Sequence, residues 1–470
     1  MKFFYTSIFC ILIYPNIQAQ NKELDSVVII GTSKVNKGSF NGSKIGKERI
    51  AQMPFETLNE ALTQETNVNV QSRGFLSTQS DISIRGGSYE QVGILFNGIR
   101  INDPQTGHNT MTVPFLLQDI EKIEVVKTSS SKYFGQNAYS GAILFSSLVP
   151  VKNSVRGMVS IGSYQTFNSN LSGDWVGKRH WHRLSLGFLN SNGYRTNTDA
   201  ETMQLFNENH FFLGKSKTVD CYATMGINSK KFGANGFYSL RFPNQYEELQ
   251  SYFYNVGIKA NDLKVDLYWK QNNDYYVLKR ENPAFYKNVH HTDVRGAQVT
   301  YSRLLVNGLR LNTTAEYRNE AIKSTNLGDR TRSVFNFNAN MDIHLTKNLE
   351  TNIGGNINYT NGFDPFVTGG FNMVYRIAPS HSVYGSFNSA FRLPTFTELY
   401  YTSPTDSGNS NLLAEHARTF DLGYKYNNKF LTFALNGFLR WTDNQIDWVK
   451  KNDNATYYVS KNYSSLVARG

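Results

Sequence analysis

From Val155 to the end of the chain, apolar and polar side chains alternate with a period of two, a pattern compatible with very few folds. Val155, Gly157, Val159 and Ile161 alternate with Arg156, Met158 and Ser160. The same texture returns at Trp181–Phe188, Lys264–Lys270, Gln298–Leu304, Arg310–Arg318, Thr351–Thr360, Ser382–Ser389, Arg418–Tyr426 and Leu431–Trp441. Successive side chains of a strand point to opposite faces, so each segment predicts a strand with two different surfaces. Asn-, Gly- and Asp-rich turns separate the strands, and the polar stretches 190–209, 233–250 and 401–411 read as longer loops. After residue 20 nothing approaches the run of ~20 apolar residues that a spanning helix requires. Mean hydropathy is -0.43, as expected of a membrane barrel, which carries its apolar residues at every second position. The reading is a mainly β chain whose residues 151–470 form an antiparallel transmembrane barrel. About fourteen or fifteen strands can be counted, and large plugged barrels have about 22. Residues 465–470 break off inside a strand, without a terminal aromatic. Unpaired backbone in a bilayer is costly, so a stable barrel with this end is not expected, and the sequence reads as a fragment of a longer product that holds only part of the barrel.

The first 150 residues read differently. Lys2, the apolar run Phe3–Ile13 and the small Ala19 predict an export signal over residues 1–19. Cys10 leaves with it, so Cys221 stands alone and no intrachain disulfide is expected. The net charge of +11 is scattered and often paired with acids, so no nucleic-acid partner is expected. A basic barrel surface suits anionic outer-membrane lipid and lipopolysaccharide. Leu58, Ala61 and Leu62 follow Pro54, Glu56 and Thr57, which predicts a short helix. Gln91–Phe96 reads as a strand, and Asn97-Gly98 supplies the positive φ angles of a tight turn into Ile99-Arg100-Ile101. Ile120, Ile123, Val125 and Val126 among Glu121, Lys122, Glu124 and Lys127 predict a short helical turn running into a half-buried strand. Residues 47–150 thus predict a small mixed α/β unit.

Six marks follow one another in this unit: Ile84-Arg85-Gly86-Gly87, Leu95-Phe96-Asn97-Gly98-Ile99, Asn102-Asp103-Pro104, Ile120-Glu121-Lys122-Ile123-Glu124-Val125, Tyr133-Phe134-Gly135 and Ser140-Gly141-Ala142-Ile143. The series resembles the plug domain of TonB-dependent outer-membrane transporters. The resemblance implies a plug at 47–150 seated in a barrel, in the outer membrane of a Gram-negative cell. It also implies that Asp25, Ser26, Val27, Val28, Ile29 and Ile30, within the linker 20–46, form a TonB box, with an ordinary first strand of the plug as the alternative. Such a box pairs by its main chain with TonB, which the ExbB/ExbD complex energises.

Within the family, Asn102–Asn109, Tyr133–Gly141 and Asn192-Gly193-Tyr194-Arg195 are similar to the vitamin B12 branch. The resemblance therefore implies import of a scarce ligand, cobalamin first. A siderophore or other iron chelate is the alternative, as is a degenerate receptor that does not transport. Ligand contacts are expected at Ser88, Tyr89, Gly107, His108 and Asn109, with the aromatic-rich stretch Phe237–Phe253 as a second surface. Arg85 and Lys127 resemble the plug half of a charged lock, with Asp421 as a barrel partner and a second carboxylate expected beyond Gly470. The family's Arg-Gly-Pro is replaced by Lys127-Thr128-Ser129, and Lys offers a point charge where Arg offers a planar fork.

Enzyme motifs are missing: there is no HExxH, paired CxxC, phosphate loop or Gly-x-Ser-x-Gly elbow. His290-His291 with Asp293 read as a solvated turn, and Asp199 and Glu201 are too common a pattern to define a calcium site. No catalytic residue, metal or cofactor is expected.

Overall fold

The computed structural model describes residues 42–74, 78–450 and 457–470. The export signal and the Asp25–Ile30 segment lie outside the described residues. Among the described residues past 153, sixteen antiparallel strands of nine residues or more follow one another, from Ser154–Gly162 to Tyr458–Arg469. Each lies beside its neighbour in chain order in one barrel sheet. Ser154–Gly162 pairs with Thr166–Val176 and Tyr458–Arg469 with Thr432–Lys450, and among the described residues no register joins the last of these strands to the first.

The barrel is polar inside and apolar outside. On Arg330–His344, Arg332, Asn336, Asn338 and Asn340 are buried toward the lumen, while Phe335, Phe337 and Met341 face outward and are exposed. This is the alternation expected when one face meets lipid and the other a filled lumen. Among the described residues no helix is long and apolar enough to cross a membrane.

Two expected loops are corrected by the same physics. Ala200–Leu213 is a strand that begins inside the stretch 190–209 read as a loop, and Tyr246–Ala260 begins before the second loop was expected to end. Glu208 and Glu247 point into the lumen, so their polarity imitates a loop. His290 and His291 likewise lie inside the strand Lys287–Val306 instead of a turn. His290 faces inward, bonded to Ser324 at 2.7 Å, and His291 bonds Asn273 at 2.6 Å.

The plug occupies the lumen. Five strands order as Gly42–Gly46, Ile120–Val126, Gly141–Ser147, Val92–Phe96 and Ile99–Arg100, and a separate hairpin pairs Val68–Arg73 with Gln79–Ile84. Asn97 and Gly98 have φ of 49° and 87°, the primed turn that the sequence predicts. The helix Leu58–Thr63 starts on a capping box: Glu60 N donates to Thr57 Oγ1 at 3.2 Å and Thr57 N to Glu60 Oε2 at 3.2 Å. The apolar core gathers Ile45, Ile82, Ile94, Ile123, Val125 and Ile143. It reaches the wall through Phe96, stacked on Phe115 at 4.4 Å and edge-on to Phe206 and Phe253 at 5.9 Å.

Connections at one end of the barrel are tight, such as 261–262 and 307–308. At the other end they are longer, as at 234–245, 278–286 and 393–414. In outer-membrane barrels the long loops face outward, so the plug surface beneath them faces the cell exterior.

Candidate functional site

The residues that the sequence singles out fall on two plug surfaces: a lock against the wall, and an apex beneath the outer loops. At the lock, Arg85 follows the strand Gln79–Ile84 with φ +50°, and Gly86 follows with φ +68°. These left-handed residues turn the chain sharply, and the Arg85 guanidinium meets the wall. Its Nη1 donates to Asp421 Oδ1 and its Nη2 to Asn436 Oδ1. The Arg85 and Asp421 side chains are 2% and 1% exposed. Thr128 Oγ1 donates to the other Asp421 oxygen at 2.6 Å, and the hydroxyls of Ser129 and Thr419 meet at 2.7 Å.

Lys127 does not join this lock. Its Nζ lies 3.3 Å from Glu65 Oε2, within the plug, and donates also to Thr66. Burial pulls the ammonium below its ordinary pKa, against the pull of Glu65. The neighbouring Arg85 already holds Asp421, and a second cation there would be repelled. The departure from Arg-Gly-Pro therefore replaces a charged contact with two hydroxyl contacts, through Thr128 and Ser129.

A second docking surface was not foreseen. The helix Ser131–Phe134 lies against wall asparagines: Tyr133 Oη donates to Asn352 Oδ1 at 2.5 Å, Asn338 Nδ2 donates to Tyr133 O at 3.0 Å, and Asn340 Nδ2 donates to Lys132 O at 2.9 Å. Alternating asparagines on lumen-facing strand positions were the sequence signal, and they read there only as polar strand residues.

At the apex, Tyr89 stacks on His108 with centroids 4.4 Å apart, and Tyr89 Oη lies 3.1 Å from His108 Nε2. His108 Nδ1 lies 2.6 Å from Asp81 Oδ1, and Arg73 pairs with the other Asp81 oxygen at 3.0 Å. Gly107 N donates to Glu90 Oε1 at 2.8 Å. Desolvation, and then the nearby Glu398 carboxylate, push the buried Glu90 up to about 8. A Cβ on Gly107 would come within 2.7 Å of the Tyr89 ring and 2.9 Å of Glu90 Oε2, so only glycine fits.

Of the residues expected to touch ligand, Ser88, Tyr89 and His108 are half-buried at this surface. Gly107 and Asn109 are buried beneath it, and Asn109 Nδ2 lies 3.4 Å from Asp274 Oδ2. From the outer connection 234–245, Tyr238 completes the recess: it is 43% exposed, and its ring centroid is 6.3 Å from that of His108. Tyr238 belongs to the expected Phe237–Phe253 surface, but from Tyr246 onward that stretch is barrel wall.

The outer connection 393–414 folds inward onto the plug. Phe396 N donates to Pro104 O at 2.9 Å and Thr397 N to Gln105 O at 3.1 Å. Beside it, Arg392 bridges Glu398 at 2.8 Å and Glu415 at 2.7 Å, and Gln91 donates to Glu415 at 2.7 Å. Among the described residues no group of three His, Cys, Asp or Glu could hold a metal ion.

A barrel with a lumen-filling α/β plug, long outer loops and an outward plug apex defines a gated outer-membrane receptor. The model of the TonB dependent receptor-like β-barrel matches residues 153–470, and that of the TonB-dependent receptor plug domain matches residues 34–142. The chain belongs to the TonB-dependent receptor family and is an outer-membrane β-barrel protein. It is 22% identical over 441 residues to the vitamin B12 transporter BtuB of Photobacterium profundum, covering 87% of this chain and 68% of that one. In fold it is similar to the siderophore receptor PirA of Pseudomonas aeruginosa, with a TM-score of 0.72, 15% identity, and coverage of 92% of this chain and 80% of the other. It is also similar to the Serratia marcescens hemophore receptor HasR in complex with its hemophore HasA and heme, with a TM-score of 0.78, 14% identity, and coverage of 92% and 78%.

Proposed function

We propose that this receptor imports cobalamin from outside the cell, with TonB and its ExbB/ExbD complex supplying the energy through the segment Asp25–Ile30. The observation that carries the choice of ligand is the chemistry of the apex. Tyr89, His108 and Tyr238 offer aromatic faces with hydroxyl and imidazole groups beside them. Carboxyl groups outnumber cations beneath: Asp81, Glu90, Glu247 and Asp274 are buried there, Glu90 holding its proton near neutral pH, with Arg73 half-buried and Lys230 buried. A strongly anionic iron chelate would find few cations to balance it, whereas an amide-rich corrin would find hydrogen-bond partners. The relationship to the vitamin B12 transporter over most of the chain supports the same choice.

A haem-type reading competes, because one structural neighbour is a hemophore receptor. Both His108 ring nitrogens are already engaged, by Asp81 and by Tyr89, so His108 would have to leave its partners to bind iron. The test is uptake of labelled cyanocobalamin by cells expressing the gene, with and without TonB and with residues 25–31 deleted, in competition with ferric chelates and haem. Uptake that needs both TonB and the segment, and that only corrinoids inhibit, is expected. Inhibition by a ferric chelate or by haem instead would reassign the ligand.

A further inference from the structure

Three separate elements of the plug bring one line of polar groups to the apex. Asp81 comes from the strand Gln79–Ile84, His108 from the turn Gly107–Asn109 and Tyr89 from the turn Tyr89–Gln91. Arg73 Nη2 pairs with Asp81 Oδ2 at 3.0 Å, Asp81 Oδ1 lies 2.6 Å from His108 Nδ1, and His108 Nε2 lies 3.1 Å from Tyr89 Oη. Asp81 is buried, and the line ends on Tyr89, half-buried at the recess.

The order of these groups fixes the direction of every hydrogen in the line. A carboxylate that pairs with a guanidinium can only accept, so the hydrogen shared with His108 sits on Nδ1. The neutral ring then turns a lone pair from Nε2 toward Tyr89, and the single Tyr89 hydroxyl hydrogen is spent on it. What Tyr89 has left for a ligand is an oxygen that accepts. Tyr238 repeats the pattern: its Oη accepts from Gln79 Nε2 at 2.6 Å and donates to Glu247 Oε2 at 2.7 Å. Gln79 Oε1 is buried and meets no donor among the described residues, one more acceptor without a hydrogen. Arg73, the half-buried cation of the recess, is spent as well, on Asp81 and on the Phe237 carbonyl at 3.4 Å.

We infer that the Asp81–His108–Tyr89 line sets the hydrogen-bond polarity of the recess, so that it takes a ligand presenting N–H donors, such as side-chain amides, and turns away the same ligand with a carboxylate in that place. An amide N–H satisfies the Tyr89 oxygen, whereas a carboxylate sets lone pairs against a lone pair and leaves the acceptor unmatched. Asp81 and His108 are positioning residues in this arrangement, and Tyr89 is the one that meets the ligand. For its ligand this rests on the corrinoid reading above, but the direction of the line belongs to the chain alone.

Equilibrium binding to the purified full chain tests the polarity, with cyanocobalamin and its monocarboxylic acids, in which one side-chain amide is replaced by a carboxylate. The measurement is made at about pH 8, where an ordinary imidazole is neutral. At least one acid is expected to bind about tenfold more weakly than cyanocobalamin, the cost of one mismatched polar contact. Tyr89→Phe removes the acceptor and should bring that ratio toward one. Asp81→Asn should shift the preference toward the acid. Arg73 then takes the new amide oxygen, the amide N–H occupies His108 Nδ1, the ring hydrogen moves to Nε2, and the Tyr89 hydroxyl is free to donate outward. A purely structural role for Asp81 would weaken both ligands and leave their ratio alone. Equal binding of cyanocobalamin and every acid by the unaltered protein, or an unchanged ratio in Asp81→Asn, overturns the polarity.

A second arm needs no ligand. Acylation of His108 by diethyl pyrocarbonate at the same pH, read by peptide mass spectrometry, reports whether Nε2 carries a lone pair or a hydrogen. Tyr89→Phe should speed it several-fold by freeing the lone pair, and adding Asp81→Asn should cancel the gain by placing a hydrogen there. No gain in Tyr89→Phe, or a gain that survives the added Asp81→Asn, overturns the line. If the unaltered protein binds no corrinoid at all, the import reading loses its ligand, and the acylation result decides the direction of the line.

Discussion

Asp421 on the barrel wall receives both the Arg85 guanidinium and the Thr128 hydroxyl of the plug, one on each carboxylate oxygen, and none of the three side chains is open to water. A buried ion pair of this kind is a specificity device more than a net source of stability, but removing one partner strands a charge and costs about 3–5 kcal/mol. Asp421→Asn and Arg85→Met should each release the plug at lower urea while the barrel transition stays put, as read by exchange protection of residues 79–92. The double variant should cost clearly less than the sum of the two, because it leaves no unpaired charge. Additive losses would show that the two groups do not act as a pair.

Lys127 supplies the contrast. Its partner Glu65 belongs to the plug, so Lys127→Met should lower plug stability by about 1–3 kcal/mol for the carboxylate left unpaired. A double-mutant cycle between Lys127→Met and Asp421→Asn should return a coupling within about 0.5 kcal/mol of zero. A coupling well above that would place Lys127 in the lock after all.

The legibility of these features in the sequence followed their range. The strands at Trp181–Phe188 and Arg310–Arg318, and the hairpin at Asn97-Gly98, were readable because alternation and turn geometry are local properties of the chain. Arg85 and Asp421, 336 positions apart, were paired through family resemblance, and no local rule connects them. Asn436, Thr419 and the asparagines around Tyr133 were missed because a polar residue on a lumen-facing strand position looks the same whether it touches the plug or water. Ala200–Leu213 was taken for a loop for the same reason: a barrel with a filled polar lumen inverts the usual equation of polar with exposed.

Glu90 gives the plug a pH dependence whose sign can be worked out. Its folded-state pKa of about 8 lies above the ordinary carboxyl value of 4.5, through desolvation first and the Glu398 charge second. The folded plug therefore holds a proton that the unfolded chain has lost. That contribution is fully present below the ordinary value and disappears as pH rises through about 8. Exchange protection around residues 89–91 and 107–109 should fall between about pH 5 and about pH 9, and Glu90→Gln should flatten this part of the profile. An equal slope in the variant would assign the dependence to other groups.

Gly135 sets how closely the helix Ser131–Phe134 approaches the wall. It has φ +70°, and a Cβ there would stand 2.3 Å from Asn336 Oδ1. Gly135→Ala combines an unfavourable backbone conformation with a clash against a buried side chain, so a loss of about 2 kcal/mol or more in plug stability is expected. Asn336→Ala in the same background should recover part of that loss by removing the clash while leaving the backbone term. No recovery would mean that the backbone conformation carries the whole effect.

The apex offers the most direct connection between geometry and ligand. His108 is held from both sides, by Asp81 at 2.6 Å and by the Tyr89 hydroxyl at 3.1 Å, and it shares a stacked face with Tyr89. His108→Ala removes that face and exposes the Asp81 carboxylate, so both shape and charge of the recess change. Titration of the purified receptor with cyanocobalamin should show binding weaker by about tenfold or more, as truncation of a central aromatic contact commonly gives. Tyr89→Phe keeps the stack and loses only the hydroxyl, so it should cost less than His108→Ala. Tyr89→Phe leaves both rings and the Asp81 contact of His108 in place, so it should change plug stability by no more than a few tenths of a kcal/mol, roughly the scale of surface substitutions. Unchanged affinity in both variants, with release unaltered, would move the ligand away from the plug apex and onto the outer connections, where Tyr286 and Tyr401 face one another at 3.3 Å between their hydroxyls.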